Sequence, residues 1–320
     1  MEKLTTGQHT DSAGVVAPLS KLVGLRHAAR GLHLVPTREV QAPLAGPYLS
    51  AFRGRGIEFD EVRAYHPGDD IRHIDWRVTA RTGSVYSKVF QQERERPVWL
   101  LLDASPTMRF GTRRCFKSVA AAEGAALVAW SAHLQGDRVG GIASTTEEVR
   151  TLTPRAGESS LFELLAALSR ATEPQTGSSS TPDLARSLGE LRTRIRPGSR
   201  IVVFSDFYEL DEEVEQLLAE LNRRSDLTCV MVYDPLEQVA PPPGRYRISD
   251  GEHIHAFSSR NRDWREVYEA PFAARRERLA AGCRMNGIGM IGLATASEPA
   301  VALAPILDPR HKIRRHGRAA

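Results

Sequence analysis

Residues 98–108 read Val-Trp-Leu-Leu-Leu-Asp-Ala-Ser-Pro-Thr-Met. Five consecutive apolar residues without alternation suit a strand covered on both faces, which is the situation in the middle of a parallel sheet. Parallel strands must be joined by crossover connections, usually helices, so this run alone predicts an α/β fold. The run ends abruptly at Asp103. In open α/β sheets, ligands bind in the groove beyond the carboxyl ends of the strands. Asp103, Ser105 and Thr107 stand there at alternate positions and offer three oxygens to a hard cation such as Mg²⁺ or Mn²⁺.

The rest of the chain supports the alternation. An alanine-rich helix is expected over 112–134, a strand over 138–143 after the turn at Gly136-Asp137, and a strand over 148–152 that pairs antiparallel with it. Helices over 160–171 and 182–195 bracket the loop 174–181. The strand Arg200–Ser205 (RIVVFS) ends at Asp206. A helix over 211–223, a strand over 228–233, a hairpin over 246–257, a helix over 262–281 and a final strand over 287–293 follow. The boundaries read from this pattern are a disordered N-terminus (1–18), a helix plus a small strand-containing module (19–96), the large α/β domain (97–305) and a basic tail (306–320).

Two strands thus end in acid, at Asp103 and Asp206, and a doubly wound sheet would bring both ends to one edge. The hydroxyl-rich loop 176–181 lies between them in sequence. Thr181, followed by Pro182, reads equally as a helix N-cap and as a further metal ligand. A phosphotransfer site built on Asp103 would want a second acid two residues on, and Ser105 stands there. A hydrolase using this groove would need a base, for which His133 and His66 are the candidates. It remains an alternative to a binding module, as does a scaffold whose metal site is vestigial.

The second dense segment is 54–81, GRGIEFDEVRAYHPGDDIRHIDWRVTAR. Pro67-Gly68 supplies a turn, and Asp69 or Asp70 is placed to cap a short helix carrying Ile71, Ile74 and Val78. Arg72, Arg77 and Arg81 match the carboxylates around them, Asp75 included. Gly68, Asp69, Asp70, Arg72, Asp75, Trp76 and Arg81 form either a salt-bridged brace or a partner-docking surface.

Composition narrows the classes. The 43 basic and 39 acidic side chains leave +4, with no block concentrated enough for a nucleic-acid footprint. Three widely spaced cysteines fit neither a disulfide framework nor zinc spacing, which favours a reducing compartment. No stretch approaches the length of a membrane span, and the first residues lack the apolar core of a signal peptide. A cytoplasmic location is the expectation.

Taken together, the motif GDD-x-R-x-IDW-x-x-x-AR at 68–81, the run FQQERERPVWLLLDASPTMRFGT, GDRVGG and VVFSDF resemble the "domain of unknown function 58" proteins from about Arg53 onward. The spacing Asp-x-Ser-x-Ser/Thr is similar to the metal-ion-dependent adhesion site of von Willebrand factor A domains. The resemblance implies a von Willebrand factor A-like, doubly wound, mostly parallel sheet. It also implies a site of Asp103, Ser105, Thr107, Thr181 and Asp206 holding Mg²⁺ or Mn²⁺. Such proteins are typically encoded beside MoxR-type AAA+ ATPases, so a non-enzymatic adaptor for such an ATPase is implied. Other proteins offering an acidic ligand to the metal would be further partners.

Overall fold

In the computed structural model, the described residues are 14–35, 57–65, 74–92, 96–144, 149–174, 184–249 and 254–307. The chain divides into two compact units, one formed by 1–40 with 96–320 and the other by 41–95.

In the larger unit the strands are β3 (Pro97–Leu102), β4 (Arg138–Ser144), β5 (Val149–Arg155), β6 (Arg200–Ser205), β7 (Asp226–Tyr233) and β10 (Gly289–Ala294). The smaller unit holds β1 (Ile57–Ala64) and β2 (Tyr86–Gln92), while β8 (Arg245–Ser249) and β9 (Ile254–Ser258) form a separate hairpin. The six-stranded sheet has the order β10-β7-β6-β3-β4-β5, parallel throughout except for the edge strand β5, which pairs antiparallel to β4. The architecture is therefore mixed α/β with a mostly parallel central sheet, as the apolar run at 98–102 requires.

Period-2 alternation along the central strands feeds two cores. Val98, Leu100 and Leu102 of β3, Val202 and Phe204 of β6, and Val230 and Val232 of β7 point to one face. Trp99 and Leu101, Ile201 and Val203, and Cys229 and Met231 point to the other. The first face is covered by α4 (Lys117–Leu134) and α5 (Glu158–Ala171), the second by α6 (Leu184–Arg194), α7 (Glu212–Arg224) and α9 (Arg262–Asn286). Helix α4 is buried on all sides from Lys117 to Ala132, as an alanine-rich, polar-poor helix must be. Its Gly124 leaves no space for a side chain, because a Cβ there would meet the Phe204 ring at 2.9 Å.

The pair Gly140-Gly141 in β4 has a similar cause. The β4–β5 register shifts between Val139 and Gly141, and a Cβ on Gly140 would be driven into the Leu152 carbonyl. The GDRVGG motif therefore encodes a bulge.

Three expected boundaries are corrected. The segment over 19–34 belongs with the large unit. It forms α1 (Leu19–Gly24) and α2 (Arg26–Ala29), and the Trp130 indole donates to the Leu22 carbonyl at 3.0 Å while Ser131 Oγ donates to that of Leu32 at 3.0 Å. Order begins before residue 19, since Ala17 is fully buried and its N–H donates to Thr172 Oγ1 at 2.9 Å. Ile306 and Leu307, assigned to the tail, are buried and pair through their carbonyls with the N–H groups of Val35 and His33, each at 2.8 Å.

The smaller unit pairs β1 antiparallel to β2 with a bulge between Phe59 and Glu61, and carries α3 (Trp76–Thr82). The cap of α3 is Asp75, whose carboxylate accepts from the N–H groups of Arg77 (3.0 Å) and Val78 (3.1 Å). Of the residues expected on a capped helix here, Val78 lies in α3, Ile74 precedes it, and Ile71 lies outside the described residues with the expected caps Asp69 and Asp70.

Candidate functional site

Ordered from β3 outward, this sheet has the doubly wound arrangement in which strand order reverses between two neighbouring parallel strands. Here the reversal falls between β3 and β6, and the crevice at such a switch point is where ligands bind. Asp103 and Asp206 are the residues immediately after those two strands. The structure therefore brings together the two strand-end acids expected to converge.

Local geometry holds them in place. The Asp103 N–H donates to the Phe204 carbonyl at 3.0 Å, extending the β3–β6 ladder by one bond. One carboxylate oxygen, Oδ1, accepts the Ser105 N–H at 2.9 Å, and Oδ2 accepts the Ser205 hydroxyl at 2.5 Å. Ser105 Oγ and Thr107 Oγ1 lie 3.0 Å apart within hydrogen-bonding reach, Thr107 being in a single 3₁₀ turn (Pro106–Met108) started by Pro106. On the other strand, Ser205 Oγ accepts the Phe207 N–H at 2.9 Å, and Asp206 Oδ1 accepts that of Tyr208 at 3.0 Å. Phe207 adopts φ of +50°, the one non-glycine residue with positive φ among the described residues. A bulky residue held there stores backbone strain directly beside Asp206.

A small cleft opens between these groups, lined by Asp103, Ser105, Thr107, Leu184, Ser205, Asp206, Tyr208 and Glu209. Its free volume is about 10 Å³, room for one water-sized body or a single small ion.

The two carboxylates differ in electrostatics. Asp206 is 1% exposed and accepts the Lys117 ammonium on Oδ2 at 2.7 Å. Asp103 is 5% exposed, and among the described residues no cationic side chain is paired with it. Burial therefore pushes its carboxyl up from 3.8 to about 6, with the charge of Asp206 adding to the rise. The Ser205 hydroxyl and the Ser105 amide only partly counter it.

These observations define how well a hard cation fits. Among the described residues no three His, Cys, Asp or Glu side chains cluster as a metal site. A cation here would rest on one unpaired buried carboxylate, two adjacent hydroxyls and a second carboxylate shared with an ammonium. Oxygen donors of this kind suit Mg²⁺ or Mn²⁺, which keep several waters when protein ligands are few. An uncompensated buried carboxylate beside a cleft the size of an ion is the feature that fits a cation.

Thr181 lies outside the described residues, as do Gly68, Asp69, Asp70, Arg72 and His66. Of the remaining motif residues, Asp75 caps α3, Trp76 is 68% exposed and Arg81 is exposed. His133 sits at the opposite end of α4 from Lys117, about 24 Å away at 1.5 Å per residue, and packs edge-on against Trp130. It is not a base for this cleft.

Several residues at the site are not evident from sequence patterns. Ser205 precedes the acid in VVFSD and holds both Asp103 and the following turn. Lys117 starts an alanine-rich helix, and a lysine opening a buried run was the available signal. Asp234, at the end of β7, is fully buried and accepts from Thr112 N–H (3.0 Å), Thr112 Oγ1 (2.7 Å), Leu236 N–H (2.9 Å) and Thr295 Oγ1 (2.6 Å). It ties the segment after Asp103 to the ends of β7 and β10. Burial works to raise its carboxyl, but the hydrogen bonds from Thr295 and Thr112 hold it below the ordinary carboxylate value.

A mostly parallel α/β sheet with paired acids and hydroxyls at its switch point defines the class. Residues 61–278 match the family model described as "Protein of unknown function DUF58", and the chain belongs to that family. It is 30% identical over 289 residues to the uncharacterized proteins Rv1480 of Mycobacterium tuberculosis (strain ATCC 25618 / H37Rv) and Mb1516 of Mycobacterium bovis. Each match spans 88% of this chain and 90% of the relative. Among solved structures, BatB from Bacteroides thetaiotaomicron, a conserved hypothetical protein, aligns over 69% of this chain and 98% of its own. That alignment has 15% identity and a TM-score of 0.37, too low for any conclusion about shared fold. Among the described residues no helix is long and apolar enough to cross a membrane.

Proposed function

We propose that this protein is a non-enzymatic protein-interaction module, von Willebrand factor A-like in its large unit, that binds partners through a divalent cation at the β3–β6 switch point. The observation that carries the reading is Asp103: a buried carboxylate without a cationic partner among the described residues, flanked by Ser105 and Thr107 hydroxyls and opening on an ion-sized cleft. Asp103, Ser105 and Thr107 would hold Mg²⁺ or Mn²⁺, with Asp206 contributing from the end of β6 and Thr181, which precedes α6 in sequence, as a further ligand. The cation's contribution when bound is positive charge and an open coordination position for an acidic side chain. The chain's own residues fix that position: Ser205 orients Asp103, and the Asp206–Tyr208 turn shapes the far wall. By family resemblance, the partner is a MoxR-type AAA+ ATPase, and the work is chaperone-like assembly or maturation in the cytoplasm. The exposed Trp76 and Arg81 of the smaller unit belong to a second docking surface in this reading.

The test uses the full-length protein and a purified MoxR-type ATPase from the same organism, without nucleotide, in Mg²⁺ and in EDTA. Binding in Mg²⁺ that is lost both in EDTA and in Asp103→Ala supports a metal-gated adaptor. Binding indifferent to both moves the interaction away from Asp103. Mg²⁺-dependent turnover of a phosphate ester, abolished by Asp103→Asn, would replace the adaptor reading with a hydrolase.

A further inference from the structure

Lys117 is the most unusual side chain in the larger unit. It is 1% exposed, yet it is the first residue of α4, where the helix dipole is positive and a cation is disfavoured. Two carboxylates offset that: its ammonium donates to Asp206 Oδ2 at 2.7 Å and to Glu237 Oε1 at 2.8 Å. Glu237 is itself immobilised, since its other oxygen accepts the Asp234 N–H at 2.9 Å in a capping box. The Lys117 backbone N–H donates to the Phe110 carbonyl at 2.8 Å. The ammonium is thus pinned, desolvated and in direct contact with one of the two acids of the cleft.

We infer that Lys117 is a specificity-determining residue that neutralises Asp206, so that the site holds its cation loosely but presents it as a net positive centre to an anionic ligand. The inference rests on the metal-dependent reading of the cleft. The charges decide it. With Lys117, the two strand-end acids and the ammonium sum to one negative charge, and a divalent cation turns that to one positive. Without Lys117, the two acids would cancel the divalent cation, and an incoming carboxylate would meet a neutral site. Glu209 also lines the cleft, but it is exposed and its charge is screened by solvent. Arg275 lies 3.9 Å from Glu237 Oε1 and stacks its guanidinium over Tyr208 at 5.2 Å, which places its charge with Glu237 rather than with Asp206. The ligand class selected is a carboxylate, such as an aspartate or glutamate side chain, in preference to a neutral amide.

The prediction is a pair of effects of opposite sign. Mn²⁺ is titrated by calorimetry into the full-length wild type, Lys117→Met, Lys117→Arg and Asp103→Ala. The Mn²⁺-loaded proteins are then tested against a capped Gly-Glu-Gly peptide and its Gln counterpart, read by paramagnetic broadening of the side-chain protons. Lys117→Met should bind Mn²⁺ about tenfold more tightly and the Glu peptide about tenfold more weakly, because a charge has been removed from a poorly solvated site. Lys117→Arg should stay close to wild type, and the Gln peptide should be insensitive to the change. Should Lys117→Met alone fail to fold, Lys117→Gln removes the same charge while keeping a hydrogen-bond donor for Asp206 and Glu237, and carries the same prediction. Mn²⁺ affinity unchanged or reduced in either variant, with wild-type binding intact and lost in Asp103→Ala, overturns the role of Lys117. Absence of Mn²⁺ binding by the wild type would instead overturn the metal site itself.

Discussion

Asp103→Asn tests the central electrostatic claim without any partner. The folded protein binds a proton at Asp103 more tightly than the unfolded chain does, since its carboxyl is raised from 3.8 to about 6. A raised carboxyl adds stability that is complete below pH ~4 and is lost as pH rises through about 6, a total of about 3 kcal/mol at 1.36 kcal/mol per pH unit. At pH 7.5 in EDTA the wild type therefore carries a buried charge that the asparagine variant lacks. The new amide can still accept the Ser105 N–H, but it disturbs the Ser205 hydroxyl bond at a cost of about 1 kcal/mol. The net expectation is a variant more stable than wild type by about 2 kcal/mol, a rise in Tm of roughly 4–8 °C for a unit of this size. At pH 4.5 the gain should shrink to near zero or reverse. Addition of Mg²⁺ at about ten times its Kd should raise wild-type stability by about 1.4 kcal/mol and leave the variant unmoved. Scanning fluorimetry or calorimetry across the two pH values, with and without Mg²⁺, reads all of this. A variant destabilised equally at both pH values would refute the claim that Asp103 is an uncompensated buried charge.

Other consequences follow from the same geometry. Asp234→Ala strands four donors from Thr112, Leu236 and Thr295 and should cost about 2–4 kcal/mol, read by urea unfolding. Because its carboxyl is held below the ordinary value, its stabilisation should be present at neutral pH and fall away as pH drops through that lowered range. Cys115, raised to about 11 by burial, should resist iodoacetamide at pH 8 in the native protein and react on unfolding, as peptide mass spectrometry would show. Gly140→Ala should destabilise by more than 1 kcal/mol, since the bulge leaves its Cβ no space against β5.

The sheet was legible because its central strands are apolar without alternation, which few other local structures permit. Arg200–Ser205 was placed to the residue, and the antiparallel partner of β4 was anticipated. Where tertiary contacts decide, local patterns misled. The helix expected from Thr112 begins only at Lys117, because Thr112 is drawn out to Asp234 by two hydrogen bonds. The cap of α3 is Asp75, which the spacing of the 54–81 segment did not single out, there being several candidate caps within seven residues and no local means of ranking them. Asp103, Ser105, Thr107 and Asp206 were legible from strand ends and spacing. The role of Lys117 was not, because its partners Asp206 and Glu237 lie 89 and 120 residues away.

The seating of residues 14–35 has a consequence for biosynthesis. This segment leaves the ribosome ahead of every surface that holds it: Glu123, which pairs with Lys21; Trp130 and Ser131; Ser169 and Thr172; and finally Ile306 and Leu307. Residues 41–95 are synthesised as a separate compact unit between it and those surfaces. The earliest part of the large unit must therefore wait unpaired until α4 and α5 have been made, and its contacts to Ile306 and Leu307 can form only when the chain is nearly finished. A polypeptide started at residue 96, though it would keep every strand of the main sheet, would leave that face of α4 and α5 open to water.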